Sequence, residues 1–166
     1  MKTNSMKYIY LLFLTLFPVV IQAQPYNPRK DRLIHVLAQE LNAIRANPAA
    51  FAKSYHLAFL DSIPPRDTLI LDYKLCYEAH KRAEFYAANN KLAHLFTGYR
   101  ESIGYALDLY YLERVEIYEY LLDRNVPSFG HRKHLLGLNN KDTRLGIGYA
   151  FNPTIRQWSV VIITAE

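Results

Sequence analysis

The chain has 166 residues, a formal charge of +5 and 51% hydrophobic residues, with a single cysteine. One cysteine excludes a scaffold stapled by internal disulfides, and a mild charge without a run of Lys or Arg excludes nucleic acid as the default partner. A chain of this length forms one domain that buries roughly two-thirds of its unfolded surface, so its core need not rely on cross-links.

Lys2 and Lys7 precede an apolar run from Tyr8 to Ile21, and Gln22-Ala23-Gln24 closes it with small and polar residues. This order predicts a secretory signal peptide over residues 1–23, cleaved after Ala23, and hence a secreted or periplasmic protein. The run is shorter than the roughly 20 residues of a membrane span and contains Pro18, so no stable membrane anchor is expected. Cleavage would remove both signal lysines and lower the charge to +3. Residues 24–30 read as a short leader, and residues 31–166 as the folded domain.

Asn27-Pro28 pairs a good helix cap with Pro at the first helical position. Leu33, Leu37, Leu41 and Ile44 then form one helical face, which should end at Asn47 because Pro48 disfavours a helical residue before it. Asn47 can cap a second short helix from Pro48 to about His56. Residues 61–67, with Pro64-Pro65, read as a loop. Thr68 to Leu71 is apolar enough for a strand, while Asp72 is a plausible cap for a helix over Tyr73–Asn89. Arg100 to Ile103, between Gly98 and Gly104, reads as extended. Tyr111, Val115, Tyr118 and Leu122 make the apolar face of a further helix, with Glu113, Glu116 and Glu119 mostly turned away. Leu145, Ile147, Tyr149 and Phe151 alternate with small residues, and Trp158 to Ile163 is rich in β-branched side chains. Two strands joined at Asn152-Pro153 are expected. Helices first and strands late predict an α+β fold, an antiparallel sheet covered by helices.

Six histidines are available for chemistry. His35 and His80 read as solvated helical residues. His94 and His131 lie beyond helices in irregular, glycine-flanked segments, where functional groups concentrate. His131 and His134 share a helical face, but two ligands alone do not make a zinc site, and the His-Glu-x-x-His pattern is absent. Cys76 falls on the apolar half of its helix and reads as a buried structural thiol. Asp123, at the end of a helix, opposes the helix dipole and calls for a compensating cation: Arg124, a protonated histidine or a metal.

The segments Leu41–Pro48, Ala87–Asn90 with Ala93-His94, Glu101-Ser102-Ile103, Ser128–Leu136, Leu145–Ala150 and Gln157–Val161 follow one another as in a CAP domain. The chain thus resembles the family of cysteine-rich secretory proteins, antigen 5 and pathogenesis-related protein 1, and in particular its bacterial SCP-like type. The resemblance implies an α-β-α sandwich with a cavity lined by two histidines and two acids. His94 matches the first histidine, His131 the second, and Glu101 the first acid, although Arg100 and Ser102 replace the usual Gly and Asn around it. Asp123 is the choice for the second acid and Glu119 the fallback. Two imidazoles with carboxylates suit Zn²⁺ or another divalent cation, with His94 and His131 as candidate ligands. The leading expectation is a non-catalytic or catalytically cryptic binding module for a lipid, peptide or protein ligand. The alternative is a metal-assisted hydrolase of extracellular or cell-envelope peptide with Glu101 as base. In a third reading, His94 and His131 simply hydrogen-bond Glu101 and Asp123, and the cavity is structural.

Overall fold

A computed structural model describes residues 26–124 and 126–166. The signal segment, its cleavage point after Ala23 and the start of the leader lie outside the described residues. The elements are α1 (Arg32–Ala46), α2 (Pro48–Ser54), a 3₁₀ turn (Ala58–Ser62), β1 (Ile70–Leu71), α3 (Tyr73–Asn89), β2 (Arg100–Ala106), α4 (Leu109–Leu122), α5 (Gly130–Leu135), β3 (Arg144–Asn152) and β4 (Gln157–Ala165).

Helix starts follow side-chain capping. Asp31 accepts from Leu33 N and opens α1, Asn47 caps α2, and Asp72 accepts from Lys74 N and Leu75 N at the head of α3. The first helix therefore begins four residues later than Asn27-Pro28 suggested. Asn27 instead closes a turn, its carbonyl accepting from Lys30 N. No described helix is long and apolar enough to cross a membrane.

The sheet has the order β1-β3-β4-β2. The β3–β4 hairpin and the β4–β2 pair are antiparallel, whereas β1 adds a short parallel pairing, Ile70 with Arg144 and Leu71 with Leu145. Alternation divides the side chains between two cores. One holds Ala79, Ala83 and Tyr86 of α3 against Ile103, Val161 and Ile163. The other holds Leu37 and Leu41 of α1, Ile117 and Leu121 of α4 and Leu135 of α5 against Ile147, Val160 and Ile162. The result is an α-β-α sandwich.

Two glycines set the helix-to-sheet distance on the α3 side. A Cβ on Gly146 would lie 2.4 Å from the Leu75 carbonyl carbon, and one on Gly148 would lie 2.1 Å from His80 N. The backbone of α3 therefore rests directly on β3.

The buried face of α4 is Leu112, Glu116, Ile117, Tyr120 and Leu121, not the stripe Tyr111, Val115, Tyr118, Leu122. Tyr and Leu surround this helix on nearly every side, so apolar spacing alone does not select a phase. Glu116, expected to face away, is buried.

Candidate functional site

Glu101 and Ser102 are neighbours on β2, a strand at the edge of the sheet, and they point to opposite faces. This parity divides the expected constellation into two histidine–acid pairs with a third, buried histidine between them.

On the α3 side, His94 Nδ1 lies 3.1 Å from Glu101 Oε1. Tyr86 donates its hydroxyl to the same oxygen at 3.0 Å, and Arg82 donates to Oε2 at 3.1 Å. Arg82 also bonds Glu78 and the Thr97 carbonyl, and its guanidinium lies against the rings of Phe96 and Tyr99. The Arg82 and Glu101 side chains are each only 3% exposed, whereas His94 is 59% exposed. The pair is thus a buried carboxylate holding an open imidazole. Burial and the Glu101 charge push the Tyr86 hydroxyl up to about 12, so it stays a donor.

On the α4–α5 side, His131 Nδ1 lies 2.9 Å from Asp123 Oδ1. Asp123 ends α4 in a left-handed conformation and is buried, and its second oxygen accepts from Arg132 N. The cation beside Asp123 is therefore not Arg124, which lies 3.8 Å from Glu119. Arg132 compensates the helix end, donating to the carbonyls of Leu121 and Leu122 while its guanidinium covers Phe59 and Phe129. His131 and Asp123 line a cleft of about 210 Å³ with Glu116, Glu119, Tyr111 and Tyr120. Burial pushes the Glu116 carboxyl up to about 7. The sequence reading missed Glu116, and Gly104 is the signal that could have found it. Its position on β2 is where Glu116 Oε1 and the Tyr120 hydroxyl approach within 3.3 and 3.0 Å of an added Cβ.

His134 sits between the two pairs and belongs to a chain of defined polarity. Thr164 donates to Asp142, which also pairs with Arg100. The Thr164 oxygen therefore accepts from His134 Nε2–H at 2.7 Å, and Nδ1 accepts from Ser102 at 2.7 Å. Burial holds this imidazole down to about 3, so it is neutral. His134 and His94 line a second, wider cleft of about 510 Å³ with Arg100, Glu101, Lys133 and Asn140.

His94 and Glu101 are thus brought together, as are His131 and Asp123, in separate clefts. Glu119 shares the cleft of His131 without touching it. Among the described residues, no three His, Cys, Asp or Glu side chains are grouped so as to hold a metal ion. Both acids have protein donors on each of their oxygens, and the guanidinium of Arg82 already neutralises Glu101. The nitrogens with no protein partner among the described residues are His94 Nε2 and His131 Nε2. Outside these clefts, Cys76 is buried, its thiol pushed up to about 11, and His80 is not a solvated helical residue: it stacks on Tyr26 at 3.7 Å and bonds the Tyr149 carbonyl.

No family model matches the chain. No curated protein matches it in sequence. Among solved structures it is similar to the crystal structure of hookworm platelet inhibitor, a CAP-family protein, with a TM-score of 0.53 and 14% identity over 85% of this chain and 73% of the other. Mixed helices and a four-stranded sheet give the chain an α+β fold of the CAP type, an α-β-α sandwich.

Proposed function

We propose that the protein is an exported CAP/SCP-like domain of the bacterial type that works as a binding module, with His94 and His131 as its ligand-facing imidazoles. The observation that carries this reading is the use of both acids as orienters: Glu101 and Asp123 each hold a histidine by Nδ1, at 3.1 and 2.9 Å. A carboxylate on Nδ1 fixes the ring and makes Nε2 the electron-pair donor, an arrangement typical of metal-binding histidines. Each cleft offers one such nitrogen, short of the three or four protein ligands of an ordinary zinc site, so Zn²⁺ or another divalent cation would rest on a single imidazole with the carboxylate behind it. A bound cation would supply Lewis acidity and open coordination positions. The residues of this chain orient the rings, neutralise the buried acids and present the clefts to solvent.

The hydrolase alternative needs Glu101 as a base, but Arg82, Tyr86 and His94 already occupy that carboxylate. Calorimetry with Zn²⁺ on the parent, His94→Ala and His131→Ala tests the metal part. The expected result is weak uptake by the parent at two independent sites, with one of the two lost in each variant. No uptake, or equal uptake in the variants, would refute it. Turnover of envelope-derived peptides that disappears in Glu101→Gln would replace the binding reading with the enzymatic one.

A further inference from the structure

We propose that the groove between α3 and the free edge of β3 binds an extended peptide as an added strand, with a basic side chain of that peptide facing Glu84. The site is separate from the two histidine clefts. It is a groove of about 520 Å³ lined on one side by His80, Glu84, Ala87 and Ala88 of α3, and on the other by the aromatic end of the β3–β4 hairpin.

The argument starts from the outward backbone groups of β3. Within β3, Leu145 O accepts from Asp72 N beyond the end of β1, so the odd-numbered residues of β3 point away from β4. β1 ends there, at Leu71. Beyond it, among the described residues, the edge is covered by side chains only. Tyr26 donates to Ile147 O at 3.4 Å, and His80 Nδ1 donates to Tyr149 O at 2.9 Å. Tyr149 N–H and both backbone groups of Phe151 have the same outward parity and no protein partner among the described residues. Unpaired groups on a strand edge form a template for another chain.

The groove opens where the helix stops pressing on the strand. Leu75 rests on Gly146 and His80 on Gly148, so α3 and β3 run in the same direction. Two turns further on, Ala87 and Ala88 leave room beside Phe151, which is 47% exposed. Tyr149 and Phe151 share one face of the strand, and Trp158 packs against both at ring separations of 5.6 and 5.3 Å. These rings provide seats for alternate side chains of an added strand.

Three features select a peptide over other occupants. The open backbone groups, two N–H and one C=O, need two acceptors and a donor at strand spacing, and an acyl chain would leave them unsatisfied. At its other end, the same edge already accepts an extended segment, Ile70–Leu71. Glu84 is 62% exposed on its side chain and has one partner, His80 Nε2 at 3.5 Å, so it favours a Lys or Arg on the incoming strand.

The test uses a six-residue blocked peptide of alternating Val and Thr with one central Lys, titrated into the purified protein. Trp158, the one tryptophan of the chain, is the fluorescence reporter. The expected result is saturable binding, weakened about tenfold or more when alternate peptide amides are N-methylated, as the loss of one or two main-chain hydrogen bonds requires. Ala88→Arg, on an exposed helix position and checked for folding by circular dichroism, should block binding, and Glu84→Gln should weaken it. Equal binding of the N-methylated peptide would reduce the site to an apolar pocket and overturn the proposal. So would no binding, or a dimer in sedimentation that Ala88→Arg dissolves, which would make the groove a contact between copies. None of these outcomes depends on whether His94 and His131 bind metal.

Discussion

Glu101 shows how a residue's role depends on its parity along a strand. Arg100 lies beside it in sequence, but the partner that neutralises it is Arg82, from α3. Glu101→Gln removes the buried charge facing Arg82 but leaves Arg82 its pair with the more exposed Glu78, so it is expected to lower unfolding stability by about 2 kcal/mol, measured by urea denaturation. Glu116 and His134 make a second, pH-dependent prediction. The Glu116 carboxyl rises from 4.5 to about 7 on folding, so the native state keeps a proton that the unfolded chain releases. Its contribution is full below pH 4.5 and lost as pH rises through 7, by on the order of 3 kcal/mol. The Glu116→Gln variant should therefore gain in thermal midpoint over the parent at pH 8 and match it near pH 4. His134 acts in the opposite sense: its folded value is about 3 against 6.5, so its contribution is present above pH 6.5 and lost as pH falls toward 3. The candidate histidines were legible because they stand in segments that amphipathic packing does not explain. The division into two clefts was not, because it follows from which face of β2 each residue takes, and a short extended segment does not declare its inner face.

Among the elements, α1, α2 and α3 were legible from caps and spacing, since Asn47 and Asp72 stand where the periodicity changes. α4 was misphased because its tyrosines and leucines make two competing stripes, and the buried one includes an acid. β2 was seen only as far as Ile103, whereas pairing with β4 extends it to Ala106. That extension depends on a partner distant in sequence. The contact of α3 with β3 gives a sharp element-scale test. Gly148→Ala places a Cβ against helix backbone that cannot yield, and the expected loss is about 3 kcal/mol or more. At Gly98, where the space is open and φ is +91°, the same substitution should cost only about 1 kcal/mol of backbone strain. Chemical denaturation of the two variants side by side separates steric clash from conformational strain.

For the whole molecule, the order of helices first and strands late was enough to predict layers, and the sandwich follows because each sheet face has its own apolar set. The parallel strand β1 was hidden in an ambiguous segment, since two residues carry no periodicity. Export is tested by the N-terminus of the recovered protein, which should begin at Gln24. Cys76 offers a check on the integrity of the core. Buried and with its thiol pushed up to about 11, it should resist thiol reagents in the native protein and react only at the rate of opening.

The two glycine seats under α3 also fix how the molecule can move. Leu75 sits over Gly146 and His80 over Gly148, so the helix cannot slide by one turn along the strand without backbone meeting Cβ atoms at the neighbouring positions. Helix and strand are therefore keyed like a shaft in a slot. Amide exchange along the middle of α3 should occur in step with β3 and β4, in a single cooperative opening, while α2 and the 3₁₀ turn exchange independently and sooner.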